Sequence, residues 1–311
     1  MLNDVIRNLS SSESNADYVR VNLVFALFCK GNSEDLIDPG LWLLEKWNNY
    51  AGKALGWALV GKNASTITKV NKLTMARLQR EIRSTAEVGL TGFRYQGPQP
   101  YAPDYRMRWL VNREAADSNN TKTSLIELMV PVPDDAQGWR SMAQTFREIS
   151  EHFPYDTGYA SPGLVFGDDA AKVEAGAIIG PLAMRHKGFD VPNNATTSYF
   201  VGRGSRGARW LTLLSKEKAA EIGLSSAGNL PQGATVAPTK NGWMIVASEI
   251  PEVGDTNRGV EATNLQWVAK ILEPISFFGD RNLKMLLSDR LDFVDRWERR
   301  FLSVAGEMST P

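Results

Sequence analysis

Residues 201–210, VGRGSRGARW, contain a G-x-G-x-x-G at Gly202, Gly204 and Gly207, with arginines at Arg203, Arg206 and Arg209. Glycines at that spacing let backbone amides close around a phosphate. The chemistry needs a strand before the motif and a helix opening inside it, whose free N–H groups hold the pyrophosphate. TTSYFV could supply the strand, but ARWLTLLS after Gly207 reads as a second strand. Glu217 and Glu221 fall in a helical pattern and not at a strand end. The stretch is therefore expected to be a hairpin tip in which glycine permits positive φ. A nucleotide-dependent enzyme using the Gly202–Gly207 loop is the alternative. Arg209 is expected to lay its stem on nearby aromatics.

Other reactive side chains are few. The two histidines, His152 and His186, belong to no metal-ligand spacing. His152 closes an amphipathic helix, where the helix C-terminus favours it, and His186 sits in a basic loop, MRHKGFD. Cys29, the one cysteine, ends an apolar run and is expected to be buried and inert. The aspartate pairs Asp134-Asp135 and Asp168-Asp169 precede helical patterns, as an N-cap and a first-turn charge do. No catalytic, cofactor-binding or metal-ligating residue is assigned, and no cofactor is expected.

The elements that must position these residues are mixed. Polar residues dominate 1–18, read as a frayed tail, and Val19 to Cys29 reads as the first strand. A helix is expected from Asp38-Pro39-Gly40, carrying Leu41, Leu44 and Trp47, and another from Thr66 into the eighties. Alternation around Met107, Trp109 and Val111, and the run Ser124 to Val130, predict strands. Trp139, Met142, Ala143, Phe146 and Ile149 share one helical face. The stretch from Tyr155 to Asn194 is rich in turn residues around a short helix after Asp169. Further on come a helix near Lys216 to Ile222, a strand at Trp243 to Ser248, and a helix opened by a Thr263-x-x-Gln266 capping box. A last helix turns Leu287, Leu291, Val294 and Phe301 inward.

The fold class is α+β, a mixed or antiparallel sheet with hairpins packed against amphipathic helices. Residues 19–302 form one domain or two similar lobes, about 19–152 and 153–302, followed by a tail, 303–311. With 35 basic and 35 acidic side chains the chain has no net field to draw it onto nucleic acid or an anionic membrane. The exposed-looking series Lys69, Lys72, Arg77, Arg80 and Arg83 is the exception, and a solvated helix face is its ordinary meaning. No apolar run is long enough to span a bilayer as a helix, and a cytoplasmic location is expected.

GARWLTLLSKEKAAEIG, LPQGATVAPTKNGWMIVASEIPEVGDTNRG, MVPVPDDAQGWRSMAQTFREI, GYASPGLVF and RHKGFDV together resemble a family of bacterial type VI secretion immunity proteins, long classed as a domain of unknown function. The likeness covers residues 20 to 302, and its most specific piece is Arg206, Gly207, Arg209, Trp210 and Leu211. The resemblance implies a protein that binds and neutralises a cognate toxin, a DNase of the restriction-endonuclease type, by covering its active site or preventing its assembly. It implies no direct nucleic-acid binding and no enzymatic activity, and leaves Arg206, Gly207, Arg209 and Trp210 a structural role. A nuclease cleft is basic, so a fitting surface offers carboxylates ringed by aromatics. Two stretches have that composition: Tyr155, Asp156, Tyr159, Phe166, Asp168 and Asp169, and then Glu249, Glu252 and Asp255.

Overall fold

Strand β1, Val19–Cys29, is buried along its whole length except at the half-buried Arg20, which is why its sequence is continuously apolar and not alternating. This computed structural model describes residues 2, 5–6, 18–61, 67–97, 102–117, 119–167, 172–224, 230–287 and 291–302. β1 pairs antiparallel with β6, Ser124–Pro131, on one side and β7, Thr157–Phe166, on the other. From this centre the sheet extends through β5 (Arg106–Asn112), β4 (Leu90–Gln96), β2 (Trp57–Val60) and β3 (Thr68–Lys69) to one edge. It extends through β8 (Leu211–Ser215), β10 (Gly242–Val246) and β9 (Thr235–Pro238) to the other, giving ten strands with antiparallel neighbours throughout.

Helices cover both faces. Leu23, Phe25 and Leu27 of β1 face a core built with α1 (Ile37–Ala51), α3 (Ala136–His152), α4 (Lys172–Arg185) and α9 (Leu291–Glu298). Phe146 of α3 stacks on Phe25, ring centres 4.5 Å apart, and Asp135 caps α3 by accepting from the Gly138 amide. The opposite face of β1, Val24, Ala26 and Phe28, packs with Tyr159 and Val201. Across β8 and β10, Leu214, Ile245 and Ala247 bury against Leu265, Val268 and Leu272 of α7, Thr263–Leu272. Two of the short helices are α6 (Lys216–Glu221), directly after β8, and α8 (Lys284–Leu287), ahead of α9. The main core draws residues from both halves of the chain, Trp109 and Phe93 as well as Leu213 and Met244.

Four local expectations differ from the structure. The helix expected from Thr66 starts at Thr74 (α2, Thr74–Arg83), because Thr68–Lys69 is an edge strand and Asn71 turns the chain by accepting the Leu73 amide. The turn-rich stretch after Tyr155 is the buried strand β7 followed by α4, fourteen residues long and not a short helix. Thr263 and Gln266 form no capping box: Gln266 donates to Glu261, and the Asn264 amide is taken by Glu252 from outside the helix. The fourth is the glycine stretch. No strand precedes it, since Asn194–Thr197 is a short helix, α5, so Gly202 to Gly207 is not a hairpin tip.

Candidate functional site

The glycine stretch is a crossing segment, half-buried at its glycines, whose glycine amides are already engaged. Gly202 and Gly207 take φ of 54° and 78°, the left-handed values glycine tolerates. Gly202 N donates to Thr121 O, Gly204 N to Val201 O, Ser205 N to Ile275 O and Gly207 N to Ser205 Oγ, at 2.7–3.2 Å. The next element is strand β8, not a helix, so a phosphate would find no free glycine amide and no helix N-terminus.

The arginines of this stretch part company. Arg203 is exposed, 3.8 Å from Asp156. Arg206 and Arg209 point into the protein, their side chains 4% and 3% exposed, against Asp190 and Asp280, which are fully enclosed. Arg209 Nε and Nη2 donate to Asp190 Oδ1 at 3.1 and 2.8 Å. Arg206 reaches Asp190 Oδ1 at 3.4 Å and Asp280 Oδ2 at 3.3 Å. Tyr159 Oη lies 2.6 Å from Asp190 Oδ2, and Asn194 Nδ2 donates to Glu127 at 2.9 Å. Arg108 sits 3.3 Å from Glu127, so three carboxylates answer three guanidiniums.

Burial acts to raise the Asp190 carboxyl, but Arg209 and Arg206 outweigh it and hold the group below its ordinary range. Burial pushes the Tyr159 phenol well up, with Asp190 adding to it, so the ring stays neutral and donates. Trp210 completes the motif by donating to Ser248 O at 2.8 Å and meeting Trp139 edge-on. Asp190 and Asp280, the partners of these arginines, carry no local spacing that would single them out in the sequence. Their geometry ties residues 190, 206–210 and 280 together in a water-excluded knot.

The expected contact residues do not converge on one surface. Tyr155, Tyr159 and Phe166 are buried, and Tyr155 Oη meets Thr239 at 3.2 Å. Asp156 accepts the Lys30 amide, and burial raises its carboxyl. Asp168 and Asp169 lie outside the described residues. Glu249 is exposed and pairs with Arg140. Glu252, its carboxyl raised by burial, caps α7. Asp255 accepts two bonds from Arg185, at 3.0 and 2.8 Å, which hold its carboxyl down at about 2. That ion pair braces a turn, Thr256–Arg258, whose side chains are exposed and whose neighbours Ile250 and Val260 present 46% and 40% of their surface.

The histidines are structural neighbours. His152 stacks on Trp42 at 3.8 Å, and His186 is buried with Nδ1 2.7 Å from Gly254 O. Clefts open between the described residues at two places, among others. One, about 240 Å³, is an apolar groove between α1 and α3, walled by Trp42, Trp47, Tyr50 and Met142. The other, about 440 Å³, lies where the end of α4 meets α7 and α9. Among the described residues no group of three or more His, Cys, Asp or Glu side chains could hold a metal ion, and no helix is long and apolar enough to cross a membrane.

The model of a family named TsiV and described as type VI immunity for VRR-NUC matches residues 43–301. A T6SS protein of Pseudomonas aeruginosa, PA0821, superposes with a TM-score of 0.76 at 17% sequence identity, over 91% of this chain and 82% of that one. At that identity the likeness is one of fold. No curated protein matches the chain.

Proposed function

This chain belongs to the TsiV family, type VI immunity for VRR-NUC, and from that premise we propose that it neutralises its nuclease toxin by stoichiometric binding and not by catalysis. The observation that carries the reading is the fate of the most chemistry-like stretch: the amides of Gly202, Gly204, Ser205 and Gly207 are bonded internally, and Arg206 and Arg209 are spent on Asp190. A reaction centre needs groups left free to meet substrate; these are not.

The turn after β10 supplies what a binding protein needs. Asp255 and Arg185 brace it from behind, Glu252 fixes its return into α7, and Glu249, Ile250 and Val260 are left outward. A surface rigid before contact loses little entropy on binding. Glu249, Glu252 and Asp255 thus enter the proposal in two roles, Glu249 as a contact and the other two as supports. Tyr155, Asp156, Tyr159 and Phe166 lie in or just before the central strand β7 and belong to the packed interior, not to this surface. Binding takes place in the cytoplasm, where a nuclease reaches DNA, with no cofactor and no nucleic acid held by this chain. It covers the toxin's active site or keeps the toxin from assembling.

The test is co-expression with the cognate VRR-NUC toxin, followed by size-exclusion chromatography. The expected result is restored growth and a co-eluting complex with an interface on the order of 1,600 Å². Growth rescue without a complex would overturn the proposal in favour of catalysis on toxin or product.

A further inference from the structure

The larger cleft carries Lys187, Lys270, Arg296, Arg299 and Arg300 on its walls against one carboxylate, Glu261. The whole chain balances 35 basic with 35 acidic side chains, so folding, and not composition, gathers this excess. The cations come from three elements: Lys187 just after α4, Lys270 on α7, Arg296 on α9 and the last two just beyond it. Like charges brought this close repel, and aromatic faces and backbone carbonyls do most of the holding. Arg300 stacks over Trp297 at 3.9 Å and donates to the Lys187 carbonyl at 2.6 Å. Arg299 lies 4.0 Å over Phe278. Arg296 meets Asp292 at 4.0 Å, both exposed. Among the described residues no carboxylate comes within ion-pair distance of Lys187, Lys270 or Arg299.

The cleft continues the surface proposed above. Its Glu261 follows directly on Val260 at the end of the braced turn, where Arg258 is 71% exposed. Of the three carboxylates expected to face a toxin from this region, Glu252 and Asp255 are turned inward as supports and the exposed Glu249 is paired with Arg140, while Arg258 stands outward on the braced turn. Phe301 lends the cleft an apolar wall. A bounded pocket of about 440 Å³ with part of its wall apolar suits a few carboxylate side chains and their stems. A nucleic-acid strand needs instead a long basic track with stacking platforms.

Resting on the immunity reading, we infer that this cationic cleft is a docking site for an acidic segment of the toxin, engaged together with the turn at Arg258. The experiment is isothermal titration calorimetry of the full chain with its toxin at two salt concentrations. It compares wild type, the triple variant Lys187→Glu/Lys270→Glu/Arg299→Glu, and a control at the far edge of the sheet, Lys53→Glu/Lys72→Glu. The triple variant, with its thermal unfolding unchanged, is expected to bind at least tenfold more weakly and with less salt dependence. The control is expected to stay within twofold of wild type.

Equal affinity of triple variant and wild type would overturn the inference while leaving the immunity reading intact; no binding by wild type would instead remove that reading. A milder variant, Lys270→Gln/Arg299→Gln, keeps the test decisive if the triple variant fails to fold, with a loss of at least threefold expected. A gel shift of DNA by wild type that the charge reversals abolish would assign the cleft to nucleic acid and overturn the inference. Sedimentation showing that the same reversals dissociate a homo-oligomer would overturn it in favour of self-association.

Discussion

Arg209 closes its guanidinium on a single oxygen of Asp190, Nε at 3.1 Å and Nη2 at 2.8 Å, inside a region from which water is excluded. Removing one partner of such a pair strands the other charge without solvation. Arg209→Met is therefore expected to cost about 3–5 kcal/mol of stability. Asp190→Asn is expected to be similarly harmful, because it leaves Arg206 and Arg209 facing each other. Urea unfolding measures both; a loss below about 1 kcal/mol in either would show that the knot is not a source of stability.

Asp255 links stability to pH. Its folded carboxyl, held at about 2 by the hydrogen bonds from Arg185, lies below the ordinary aspartate value of about 3.9. Between those values the unfolded chain binds more protons, so stability rises with pH there. The contribution is complete above about pH 4 and lost as pH falls toward 2. Arg258 at 3.7 Å and His186 also favour the ionised form. Melting temperatures of wild type and Asp255→Asn, taken from pH 7 to pH 2, are expected to differ most at neutral pH and to converge in acid. Parallel curves would show that Asp255 does not carry this dependence.

Gly188 sits where a Cβ would come 2.0 Å from the carbonyl oxygen of Glu252. Gly188→Ala must push the braced turn away from the end of α4, at a cost of about 1–3 kcal/mol, typical of overpacking. Toxin affinity is expected to fall with it, by at least tenfold. Unchanged binding with lowered stability would separate the turn from the interface.

Cys29 is buried at the end of β1 opposite Ser124 of β6, and burial, with Asp156 adding to it, pushes its thiol well above the usual range. A chromogenic thiol reagent at pH 8 is expected to react only as fast as the chain opens, and at once in denaturant. Immediate labelling of the native protein would contradict this.

The elements read most directly from the sequence are those whose environment differs between faces. α3 shows its core side through Trp139, Phe146 and Ile149, and β5 alternates at Met107, Trp109 and Val111. β7 is hidden because it is buried on both faces and carries Gly158, Pro162 and Gly163. Gly158 is needed there, since a Cβ would come 2.9 Å from the Ala26 backbone oxygen of β1. Pro162 is tolerated because β8 pairs only with Thr157–Ala160, and beyond it the Pro162 carbonyl accepts the Asp190 amide. The glycine stretch is legible as backbone needing positive φ, but not as a crossing segment. Arg206 and Arg209 pair with Asp190, and Arg206 also with Asp280, 16 and 74 residues from Arg206, and no local pattern encodes such distant partners.

The sheet is open, and its two rims decide how the chain behaves among its own copies. One rim is β3, two exposed residues ending in Lys69; the other is β9, four residues closed by Pro238, which has no amide hydrogen to offer. Neither offers a long, flat row of unpaired backbone onto which a foreign strand could add. A guardian held in reserve against an incoming weapon must accumulate before it is needed, and rims this poorly suited to recruitment let it do so without seeding its own precipitation.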